Sequence, residues 1–149
     1  MHPALLHTHN ALRWVILVAG VLTLLKAAQG LKGDRPYAAA RRAGVVFMAG
    51  LHLQLLLGLG LFVVSPLVQQ AMADMRATMA TASVRFFIAE HPTLMVVAVV
   101  LATVGSVVAK NAPDDAARHR KLLVFTGVTL LLLLAGIPWQ RPLVPGMGG

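Results

Sequence analysis

Six histidines and no cysteine define the chemistry open to this chain of 149 residues. The absence of thiols excludes disulfides, zinc–thiolate sites, iron–sulfur clusters and a CxxCH haem attachment. A metal or cofactor must therefore be held by histidine, methionine, carboxylate or backbone. The histidines are His2, His7, His9, His52, His91 and His119. Imidazole is a neutral donor for iron, and a carbonyl or carboxylate can fix its second ring N–H. Two imidazoles on opposite faces of one haem fill both axial positions and leave none for oxygen, so such a haem carries electrons. Arg13 lies one helical turn from His9 on the same face and would give a haem propionate a charge partner. Arg76 and Arg85, the latter six residues before His91, are candidate contacts for a propionate or for a lipid phosphate, lipid being the commoner partner.

The elements that must position these residues follow from hydropathy. The chain is 58% hydrophobic and 12% charged, with a mean hydropathy of +0.77. A soluble domain of this size has no interior large enough for so much apolar surface. Four apolar runs reach the roughly 20 residues that cross a bilayer as a helix. They predict helices over about 8–31, 43–65, 85–109 and 114–138, with a flexible Pro/Gly-rich tail over 140–149. Short linkers make neighbours antiparallel. The expected fold is all-α: one integral-membrane, up-down-up-down four-helix bundle.

Basic residues set the orientation. Lys26, Lys32, Arg35, Arg41 and Arg42 follow the first run, and Lys110, Arg118, Arg120 and Lys121 follow the third. The other side carries only Arg13, Arg76, Arg85 and Arg141. Both termini are expected in the periplasm of a bacterial inner membrane. The first run is an N-out anchor rather than a cleaved signal, because its charges follow the apolar segment. Trp14 and Trp139 then fall at the outer interface, and Pro113-Asp114-Asp115 opens the fourth helix with proline in its first turn. A net charge of +8 does not indicate nucleic acid, because the charges fall between apolar blocks and aromatics are few.

On this topology each helix carries one histidine of interest. His9 and His91 lie at the outer ends of helices 1 and 3. His52 lies about 15 Å into helix 2 at 1.5 Å per residue, and His119 lies near the inner start of helix 4. Helices 1 and 3 are diagonal in a four-helix ring, as are 2 and 4. The expected axial pairs are His9 with His91 and His52 with His119, clamping one or two b haems. His2 and His7 read as surface residues. An ionisable residue inside a span is a functional candidate, which marks His52; a structural hydrogen bond is its plainer role. His119, inside "ARHRKL", also reads as part of a basic flank. Glu90 is a partner for His91, a proton carrier for quinol chemistry, or equally a carboxylate at a helix start.

The segments "LHTHNALRW", "GLHLQLLLGLGLFVVSP", "RFFIAEHPTLMVVAVVLATVGSVVAK", "ARHRKLLVFTG" and "AGIPW" resemble a family of small bacterial four-helix membrane proteins described as cytochrome b-like. The likeness runs from about Leu5 to Trp139, and the matching histidines are His9, His52, His91 and His119. The layout is also similar to the di-haem bundles of the cytochrome b561 type, by arrangement rather than by sequence. The resemblance implies a membrane b-type cytochrome. Its electrons would pass between the quinone pool and a redox partner.

Two other functions fit the composition. One is a non-catalytic accessory subunit of a larger respiratory or photosynthetic complex, or a homo-oligomer. The other is a periplasmic-side copper or zinc binder using His2, His7 and His9. Met72, Met75 and Met79 stand at helical spacing and would suit Cu(I), but an interfacial helix with flexible apolar anchors is the plainer and favoured explanation. No Ser/His/Asp nucleophile set, phosphate loop or HExxH motif occurs.

Overall fold

The structure, a computed structural model, describes residues 2–139. The expected flexible tail over 140–149, with Arg141, lies outside the described residues. The elements are α1 (His2–Gly33), α2 (Ala38–Val64), α3 (Pro66–Ala73), α4 (Met75–Ala80), α5 (Ala82–Arg85), a π-helical turn (Phe86–Glu90), α6 (His91–Lys110) and α7 (Asp115–Gly136). Four stretches are long and apolar enough to cross a membrane: His2–Gly33, Ala38–Val64, Ala82–Lys110 and Asp115–Gly136. The chain is an all-α membrane helical bundle.

The spans form a ring in which α1 packs on α2 and α7, and α6 packs on α2 and α7. This puts α1 diagonal to α6 and α2 diagonal to α7. The ring encloses a core of Ile16, Phe47, Leu51, Ala98, Val99, Ala102, Leu130 and Leu133. Outside the ring, large aliphatic residues face away from the protein: Leu56 and Leu131 are each 67% exposed. Helices that are apolar on every side require an apolar solvent, as in a bilayer.

Local chemistry sets the helix ends. α1 starts six residues earlier than expected, with Pro3 in its first turn, where a missing N–H costs nothing. It stops at Gly33, and Asp34 takes a left-handed φ of 50° that asparagine and aspartate tolerate best after glycine. α2 has no side-chain cap of its own, and the Tyr37 N–H instead donates to Asp115 Oδ2 at 3.1 Å. That bond ties the start of α2 to the start of α7. Burial pushes the Tyr37 phenol above its ordinary value. Asp114 caps α7 by accepting from Ala117 N at 2.8 Å, so Pro113 stands just outside the helix rather than in its first turn.

The linker between α2 and the third span is not one surface helix. It breaks at Asp74, which caps α4 through Ala77 N at 3.0 Å, and Thr78 Oγ1 donates back to Ala71 O at 2.9 Å. Met72, Met75 and Met79 are exposed on these short helices. The third span is also irregular. Pro92 has no N–H for the Ile88 carbonyl, and its ring crowds that carbonyl. The turn just before His91 accordingly widens into the π-helix Phe86–Glu90.

Candidate functional site

His9 on α1 and His91 on α6 meet across the ring diagonal. Their ring centroids are 6.4 Å apart and their planes are inclined by 73°. A metal–imidazole nitrogen bond is about 2 Å; two such bonds and the two half-rings together span about 6 Å between centroids. The observed centroid separation matches that span. His91 Nδ1 lies 2.6 Å from the Gly136 carbonyl. The carbonyl only accepts, so Nδ1 carries the proton and Nε2 keeps the lone pair. This is the arrangement of a metal-binding histidine whose other ring nitrogen is anchored on backbone. His9 Nδ1 is buried with no hydrogen-bond partner.

Both rings line a cavity of about 680 Å³, within the roughly 300–1,000 Å³ typical of small-molecule and cofactor sites. Its apolar lining includes the buried Ile16, Leu51, Val99 and Leu133; its polar lining includes Arg13, Gln54 and the two histidines, with Asn10 and Ser65. His2 and Pro138, near the two ends of the described residues, line the same cavity, so those two ends lie at one end of the bundle. Gly58 makes room for the His9 ring, since a Cβ there would stand 3.3 Å from His9 Cε1. The π-helical turn adds Phe87 to the wall and sets Phe86 with its ring centroid 6.0 Å from that of His91.

Arg13 lines the cavity at only 9% exposure, with its guanidinium 5.6 Å from the Trp14 ring centroid. A buried guanidinium near an apolar cavity suits an anionic substituent on whatever fills it. Arg85 does not line the cavity. It bonds Glu90 Oε1 at 2.8 Å and the Met79 carbonyl at 3.2 Å on the exposed surface. Glu90 is engaged there too, and the partner of His91 is the Gly136 carbonyl.

His52 and His119 are not brought together. His119 is 1% exposed, buried despite its place in the basic flank, whereas His52 inside its span is exposed. Its Nε2 donates to the Arg35 carbonyl at 2.8 Å, and its ring meets Tyr37 edge-on with centroids 5.6 Å apart. It fits only because residue 30 is glycine: a Cβ at Gly30 would overlap the imidazole. His119 thus pins the start of α7 onto the α1–α2 turn. His52 lies on the outward face of α2, with Nδ1 2.9 Å from the Met48 carbonyl and Nε2 3.2 Å from Thr103 Oγ1 on α6. With one ring packed at the α1–α2 turn and the other facing out, the structure does not bring the expected inner pair to one site.

Sequence reasoning passed over Gln54, whose Nε2 donates to the His9 carbonyl at 2.8 Å. Its signal was present as a second polar residue in "GLHLQLLLG". Positions two apart do not share a helix face, so with His52 outward Gln54 turns inward. His2 and His7 also line the cavity, and His7 is exposed, as expected of a surface residue. Among the described residues no three His, Cys, Asp or Glu side chains converge as a metal-binding group. Comparison with protein-family models, curated proteins and solved structures returned no match.

Proposed function

We propose that the protein is a membrane-embedded b-type cytochrome that holds one haem between His9 and His91. The observation that carries this reading is the facing of those two rings, 6.4 Å apart, inside a cavity of about 680 Å³. The donor set suits a macrocycle. A bare zinc or copper ion needs three or four ligands, mostly from protein, whereas haem brings four nitrogens and asks the chain for two. Haem bound this way supplies reversible one-electron transfer without an open position for oxygen. The chain's own part is to present the two imidazoles, exclude water with Ile16, Leu51, Val99 and Leu133, and set Arg13 against a propionate.

The likeness of the histidine-bearing segments to cytochrome b-like proteins supports the same reading. Basic residues gather at the bundle end opposite His9, which supports a bacterial inner membrane with both termini and the haem on the periplasmic side. A quinol or a redox protein reaching that face is the electron partner. The experiment is a reduced-minus-oxidised spectrum of purified protein with a haem-to-protein ratio. The expected result is haem b bands at a ratio near one. A ratio near two, or no haem, contradicts the reading.

A further inference from the structure

A histidine that gives one ring nitrogen to a metal needs a hydrogen-bond partner for the other, which fixes its tautomer and rotation. His91 has one in the Gly136 carbonyl. His9 has none, and its Nδ1 is buried without a partner. The same cavity contains the complementary orphan. Gln54 Oε1 is an acceptor only, and it too is buried without a partner. The other end of that amide is already bonded to His9, with Nε2 donating 2.8 Å to its backbone carbonyl. A carbonyl accepts only from the NH₂ end, so the amide orientation is fixed and Oε1 is the free end. Leaving a buried polar atom without a partner is costly, and both of these atoms lie on residues that line the one cavity. Gly58, one turn along α2 on the face of Gln54, packs against the same edge of His9: a Cβ there would stand 3.3 Å from Cε1 and 3.9 Å from Nδ1.

We infer that Gln54 is the positioning residue for His9: its Oε1 takes the Nδ1–H when His9 gives Nε2 to the haem iron. This rests on the haem reading of the cavity. The two axial ligands are then held by different means. His91 leans on a backbone carbonyl that no substitution removes, and His9 on a side chain that can be changed.

The test is haem titration into the haem-free full chain in detergent, with the midpoint potential of the loaded protein as a second readout. Gln54→Leu removes the acceptor and is expected to weaken haem affinity about 10–100-fold. Gln54→Glu keeps the shape and offers a stronger acceptor, at the loss of the Nε2 donor to the His9 carbonyl. It is expected to retain haem and shift the potential negative, because a more basic imidazole favours oxidised iron. If Gln54→Leu fails to fold, the potential of the isosteric Gln54→Glu decides alone. Wild-type affinity in Gln54→Leu, or an unchanged potential in Gln54→Glu, overturns the inference while leaving the haem reading intact. A wild-type chain that takes up no haem overturns both.

Discussion

Gly30→Ala separates a structural His119 from a ligand His119. The added Cβ would overlap the His119 ring, which is 1% exposed and has no neighbouring space to enter. Relief requires the ring to move, breaking its 2.8 Å bond to the Arg35 carbonyl and its packing on Tyr37. Overpacking costs about 1–3 kcal/mol, and a lost buried hydrogen bond about 1 kcal/mol more. Helix propensity works the other way by about 1 kcal/mol for glycine to alanine. The net is about 1–3 kcal/mol of destabilisation, or a Tm lowered by roughly 2–12 °C for a chain of this size. The control is Gly127→Ala on α7, where the nearest atom, Leu24 Cδ2, would be 3.9 Å away. There only propensity operates, and Tm holds or rises. Thermal unfolding in detergent followed by circular dichroism reads both variants, and haem content is measured on the same samples. The reasoning is refuted if Gly30→Ala is as stable as wild type, or if it loses haem at temperatures where it is folded.

Two more predictions concern the cavity. Gly58→Leu places a branched side chain where even a Cβ would stand 3.3 Å from His9 Cε1, so haem loading should collapse while helix content by circular dichroism is kept; full loading sinks the cavity assignment. Pro92→Ala gives the Ile88 carbonyl back its donor, which should regularise the turn over Phe86–Glu90, rotate His91 from the Gly136 carbonyl and lower haem affinity. An unchanged affinity would show that the widened turn does not set the ligand.

The sequence reading and the structure agree where depth along a helix was the deciding variable. Apolar run lengths located four spans, short linkers set the ring order, and the ends of α1 and α6 brought His9 and His91 to one level. They part where the facing of a helix decides. Lipid and protein interior are both apolar, so α2 carries leucine and valine all round and its pattern does not say which way His52 points. Gln54, two residues on, takes the inward direction instead. The burial of His119 depended on Gly30 and the Arg35 carbonyl, more than 80 residues away in sequence, while its own neighbours "ARHRKL" read as a solvated flank. Arg85 was drawn to the site by closeness to His91 in sequence, yet Glu90 and the Met79 carbonyl hold it at the surface.

The most direct measurement is the haem-to-chain ratio of four purified proteins: wild type, His9→Ala, His91→Ala and His52→Ala. The account predicts a ratio near one for wild type and His52→Ala, and a spectrum lost or converted from bis-imidazole coordination in His9→Ala and His91→Ala. Retention of the wild-type bis-imidazole spectrum in His91→Ala, or its loss in His52→Ala, would contradict a single haem held between His9 and His91.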